Sequence, residues 1–117
     1  MTPTQRSVAA LRADGYHAQV LERWNPYAKV RVDVFGFGDI LAFRAGQPGS
    51  VLVQTTSGAN LAARRTKILG NPFARDWLRA GNWIRLDGWA KRGGRHERKV
   101  WTVRKEYLTL DQFTEAP

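Results

Sequence analysis

A chain of 117 residues with 43% hydrophobic content can close one core and has little left for a second, so a single domain is expected. Its 19 Lys and Arg against 10 Asp and Glu give a formal charge of +9 and a pI near 10.9, a balance that suits a polyanionic partner such as DNA or RNA. The absence of cysteine excludes disulfides and thiolate zinc sites, and His17 and His96 are too few and too far apart in sequence to replace one.

Thr2-Pro3-Thr4-Gln5 opens a first helix with a cap residue, a proline at the first helical position and a Gln able to reach back; Gly15 closes it. Residues 17–24 then read as a strand stopping at Asn25-Pro26. Residues 29–35 alternate Val30, Val32 and Val34 with Lys29, Arg31 and Asp33, the period of a half-buried strand. Two further strands, 39–43 and 50–55, form a hairpin about Gly46-Gln47-Pro48-Gly49, and both are apolar enough to be central. Asn60 caps a helix over 61–69 that Gly70 ends, and Asn71-Pro72 starts another that runs to Gly81, with Phe73 and Trp77 on one face. Two strands, 83–91 and 99–103, finish the fold, joined by the charged, glycine-rich segment 92–98. Trp83, Trp89 and Trp101 on these strands are expected in the core, with stacking of an unpaired base from an exposed basic sheet as the alternative. The order describes an α/β fold, a mixed central β-sheet flanked by helices, with residues 1–110 as the domain and 111–117 as a flexible acidic tail.

The basic charge is concentrated. Residues 61–105 hold thirteen Lys and Arg against three acids, whereas residues 1–60 hold six against four. Arg64, Arg65 and Lys67 on the second helix and Lys91, Arg92 and Arg95 near the linker are therefore the candidate phosphate contacts. No stretch approaches the roughly 18 apolar residues of a spanning helix and no secretory pattern opens the chain, so a cytoplasmic protein without a membrane partner is expected.

If 39–43 and 50–55 are neighbouring strands, Asp39 at the start of one lies near Gln54 and Thr56 at the end of the other, and the period of two places Gln54 and Thr56 on one face. Three oxygens then converge. The Asp39 carboxylate, the Gln54 side-chain carbonyl or the Thr55 backbone carbonyl, and water would suit Mg2+ or Mn2+, which lowers the pKa of a bound water and neutralises a scissile phosphate.

An acid after a small residue, a hairpin, a (D/E/Q)-x-polar triplet on the next strand and a basic helix together resemble the PD-(D/E)XK nuclease superfamily, in particular its small Holliday-junction-resolvase-like members from phages and bacteria. Gly38-Asp39 stands where the family has Pro-Asp, and Gln54-Thr55-Thr56 where it has (D/E)-X-K. The resemblance implies a restriction-endonuclease-like core and a metal-dependent DNA endonuclease, structure-selective and homodimeric like the resolvases. It also implies an extra metal-binding acid from Glu22 or Asp33, and a displaced catalytic lysine supplied by Lys67 or Lys29. The basic helix would lie along duplex or branched DNA. Two departures from the motif, the uncharged Gln54 and Thr56 in place of lysine, keep a second expectation open: a catalytically inactive nucleic-acid-binding protein that retains the fold.

Overall fold

The computed structural model describes residues 1–21 and 23–113. Helix α1 (Pro3–Ala13) begins on a full capping box: the Gln5 amide donates to the Thr2 hydroxyl at 3.2 Å, and the Thr2 amide donates to the Gln5 side-chain oxygen at 2.9 Å. Strands β1 (His17–Val20), β2 (Arg23–Asn25), β3 (Val30–Val32), β4 (Ile40–Phe43) and β5 (Val51–Ser57) follow, then α2 (Leu61–Leu69), α3 (Pro72–Arg79), β6 (Trp83–Arg92) and β7 (Val100–Leu108). The proline-started helices hold because a proline at the first position gives up no hydrogen bond the helix would have made; in α3 the Asn71 side chain also accepts from the Phe73 amide.

Five strands form one mixed sheet in the order β1-β4-β5-β6-β7. Only the β5–β6 pair is parallel, because α2 and α3 carry the chain back across the sheet between them; the other three pairs are antiparallel. The expected α/β class and the central place of 39–43 and 50–55 agree with this architecture. The strand expected over 17–24 does not run through: β1 ends where its partner β4 begins, at the Val20↔Ile40 pair. Residues 23–25 and 30–32 instead pair with each other as a separate hairpin. Strand β7 runs to Leu108, five residues past its expected end, since its charged second half is held by a full antiparallel ladder to β6.

Helix α1 covers one face of the sheet, where Leu11, Tyr16, Ala18, Ile40, Ala42, Val51 and Val53 are buried together. Helices α2 and α3 cover the other through Leu61, Ile68 and Ala74 against Leu52, Ile84, Leu86 and Leu108. Each fully buried Leu, Ile or Val contributes about 1.5–3 kcal/mol. Phe113 joins the second cluster after a short 3-10 turn over Leu110–Gln112; the packed body therefore includes residues 111–113, which were expected in the tail. Of the tryptophans, Trp89 is buried as expected, but Trp83 and Trp101 are 41% and 44% exposed. No helix among the described residues is long and apolar enough to cross a membrane.

A central strand buried on both faces must satisfy its polar side chains internally. On β6, Arg85 and Asp87 are 2% and 0% exposed and meet fork to fork, Nε to Oδ1 at 2.8 Å and the terminal nitrogen to Oδ2 at 2.9 Å. The Ser7 hydroxyl donates to Asp87 Oδ2 at 2.7 Å, and the Trp89 indole N–H donates to Ser7 at 2.8 Å. Burial alone lowers the Arg85 pKa, but the hydrogen bonds and charge of Asp87, together with those of Tyr107, outweigh it and leave the guanidinium more firmly protonated than usual.

Candidate active site

The segment Val34-Phe35-Gly36-Phe37-Gly38 is a closed loop. Its central residues both have positive φ, 56° at Phe35 and 82° at Gly36, and the Phe37 amide donates to the Val34 carbonyl, the pattern of a type I′ turn that favours glycine at its second central position. Val34 and Gly38 then pair as an isolated antiparallel bridge, so Asp33 and Asp39, five residues of loop apart, flank the same closed neck. Phe37 anchors the loop in the core at 1% exposure. Gly38 lies so close to Leu52 that a Cβ would stand 2.8 Å from its Cδ2.

The Asp39 backbone is held from both sides: its amide donates to the Val53 carbonyl at 3.0 Å and its carbonyl accepts from the Leu21 amide at 2.8 Å. Strand β4 begins only at Ile40, so β5 beyond Gln54 has no β4 backbone left to pair with. The Asp39 carboxylate fills that gap. Its Oδ2 accepts from the Thr55 amide at 2.8 Å, the Thr55 hydroxyl at 3.1 Å and the Gln54 Nε2 at 3.0 Å, with the side chain 3% exposed. A carboxylate accepts only, so Gln54 turns its NH2 end to Asp39 and keeps its carbonyl as an acceptor. The Thr55 hydroxyl has one proton, spent on Asp39; the 3.0 Å contact with the Thr4 hydroxyl is therefore donated by Thr4.

Around this knot lies a recess of about 380 Å³ lined by Pro3, Thr4, Asp33, Asp39, Gln54, Thr55, Arg64 and Lys67. It lies at the carboxyl end of β5, between the start of α1 and the face of α2 that carries Arg64 and Lys67, three residues apart and so on one side of the helix. Two acids, two cations and three uncharged polar side chains thus share one opening.

The structure brings Asp39, Gln54, Asp33, Lys67 and Arg64 together, and leaves other expected participants elsewhere. Thr56 is buried in β5 and does not line the recess; Thr55 takes the place expected for it, and its backbone contributes an N–H where a carbonyl was expected. Lys29 sits in the turn between β2 and β3 at φ 53°, also outside the lining. Glu22 lies outside the described residues. Arg65 faces Glu106 on β7 in a bidentate pair, 2.5 Å and 2.7 Å, which raises its pKa and spends its charge inside the protein. Lys91, Arg92 and Arg95 are exposed on the β6–β7 hairpin. Thr4 and the hydroxyl of Thr55 were missed by sequence reasoning, which offered Thr55 only as a backbone carbonyl. Adjacency to Gln54 was a signal for Thr55, but nothing local to Thr4 ties it to a residue 51 positions on.

Fold and site together define an α/β protein with an acid-and-cation recess at the carboxyl end of a central strand. No family model, curated protein or solved structure matches the chain.

Proposed function

We propose that the protein is a divalent-metal-dependent DNA endonuclease of the PD-(D/E)XK type, cleaving phosphodiester bonds at the recess around Asp39. The observation that supports this reading best is the gathering of Asp33, Asp39 and Gln54 with Arg64 and Lys67 in one opening. A site built only to attract polyanions has no use for two carboxylates beside its cations; a site that holds a cation and a phosphate needs both signs.

The donor set suits Mg2+ or Mn2+, which take hard oxygens and retain water. Among the described residues no three His, Asp or Glu side chains gather at one point, so the ion would rest on the Asp33 and Asp39 carboxylates, the Gln54 carbonyl and water. When bound, it supplies an acidified water and charge neutralisation at the phosphate. The chain's own residues do the rest. Three donors on Oδ2 fix the Asp39 carboxylate in place. Lys67 and Arg64 hold the non-bridging phosphate oxygens and stabilise the charge that builds on them. Lys67 is the cation at this opening that answers to the displaced lysine expected from the sequence.

Incubation with branched, nicked and linear DNA in Mg2+ or Mn2+ tests the reading. Metal-dependent cleavage is expected, falling at least about tenfold in Asp33→Asn and Lys67→Ala, both of which retain the Asp39 hydrogen bonds. No cleavage of any substrate, or cleavage unchanged by both substitutions, rejects it. The triple hydrogen bonding of Oδ2 favours one second reading, a non-catalytic DNA-binding protein in which Asp39 only closes the end of the sheet. That reading expects salt-steep binding that ignores divalent metal.

A further inference from the structure

Strands β6 and β7 outrun the rest of the sheet. Ser57, the last residue of β5, pairs with Trp89, so residues 90–92 and 100–102 project as a two-stranded arm whose Lys91 and Trp101 face each other across the ladder. The arm is strongly cationic: Lys91, Arg92, Arg95, Arg98, Lys99 and Arg104 are exposed, with Glu97 the one acid between Lys91 and Arg104. No ion pair among the described residues joins these cations to an acid.

Trp101 differs from Trp77, Trp83 and Trp89 in its polar contacts. The indole N–H groups of Trp77, Trp83 and Trp89 donate to Trp83 O, Pro48 O and Ser7 Oγ, whereas that of Trp101 bonds to nothing among the described residues. The residue is 44% exposed although the Arg6 guanidinium lies 4.1 Å from its ring centroid and the Lys91 ammonium 5.6 Å. A half-exposed indole flanked by two cations is the composition of a stacking site for a base whose phosphates those cations hold. Both places draw on the first turns of α1: Pro3 and Thr4 line the recess, and the Arg6 guanidinium lies over the Trp101 ring.

We infer that Trp101, with Arg6 and Lys91, stacks an unpaired base, and that the DNA engaged at the recess carries a single-stranded segment along the β6–β7 arm. The location of the segment rests on the nuclease reading; the stacking itself is a binding property that needs no cleavage.

Fluorescence anisotropy in EDTA with a labelled single-stranded oligodeoxynucleotide, a forked duplex and a blunt duplex tests it. Base stacking on an aromatic contributes about 1–3 kcal/mol, so Trp101→Ala is expected to weaken single-stranded and forked DNA by roughly 5- to 150-fold, and to leave the blunt duplex within about twofold. Trp101→Phe should regain much of the loss, and Trp83→Ala, which removes a comparably exposed indole from the opposite end of β6, should change none of the three. Equal weakening on all three DNAs, or no weakening, overturns the inference. Tighter binding of the matching oligoribonucleotide overturns its assignment to DNA. Cleavage is scored separately in Mg2+: a protein that shows the Trp101-dependent binding but cleaves nothing loses the nuclease reading and keeps the platform, while unimpaired cleavage of forked DNA by Trp101→Ala removes the platform from the reaction and leaves the nuclease reading intact.

Discussion

Replacing Asp87 by alanine removes the carboxylate partner of a buried guanidinium. Arg85 is 2% exposed and makes two hydrogen bonds to Asp87, with the Tyr107 hydroxyl as a further partner; Asp87 is itself 0% exposed and also takes the Ser7 hydroxyl. Breaking a buried pair by removing one partner costs about 3–5 kcal/mol, and the Ser7 donor adds about 1 kcal/mol where water cannot reach it. A loss of about 4–6 kcal/mol is expected, a large part of the roughly 5–15 kcal/mol available to a domain of this size. Arg85→Met/Asp87→Leu removes both charges in apolar side chains of broadly similar bulk and should fall within about 2 kcal/mol of the wild type. Urea unfolding followed by circular dichroism measures all three proteins. A single substitution costing under about 1 kcal/mol, or a double variant as unstable as the single, would refute the account of a desolvated, mutually dependent pair.

Gly38→Ala places a methyl 2.8 Å from Leu52 Cδ2 in a filled core; a loss of about 1–3 kcal/mol is expected from the same unfolding measurement. Burial and the nearby Tyr107 hydroxyl raise the Tyr16 pKa above its ordinary 10.0, against the opposing pull of Arg44 and Gln47. Its stabilising contribution is thus complete below pH 10 and lost as pH rises through the elevated folded value, and Tyr16→Phe should flatten that alkaline limb of the stability profile. Arg64→Ala should reduce the slope of log K against log salt for DNA binding by about 0.9 if Arg64 holds one phosphate; Arg65→Ala, whose charge is matched by Glu106, should leave the slope unchanged.

Helix boundaries were legible because capping and proline chemistry is local: Thr2-Pro3 and Asn71-Pro72 mark starts that need no tertiary information. The Asp39–Gln54 meeting was legible for a related reason, since two consecutive strands paired as a hairpin bring the start of one beside the end of the other. What escaped depends on where strands stop. Thr55 reaches Asp39 because β4 begins one residue after Asp39, leaving the carboxylate to serve the Thr55 amide, and face alternation alone assigned that role to Thr56. Arg65 was placed among the phosphate contacts because Glu106, 41 residues away, is opposed to it only once β7 is paired to its full length. Trp101 has the same alternating pattern as a core residue, but its strand continues past the edge of the layer that would have covered it.

The proposal of a metal-dependent phosphodiesterase stands or falls on whether a divalent ion settles at the neck between Asp33 and Asp39. A crystal soaked in Mn2+ and measured for anomalous scattering gives the direct answer. The account predicts a peak within coordination distance of the Asp39 carboxylate, lost in Asp33→Asn crystals. A recess without anomalous density at millimolar Mn2+, or a peak that ignores both acids, contradicts it.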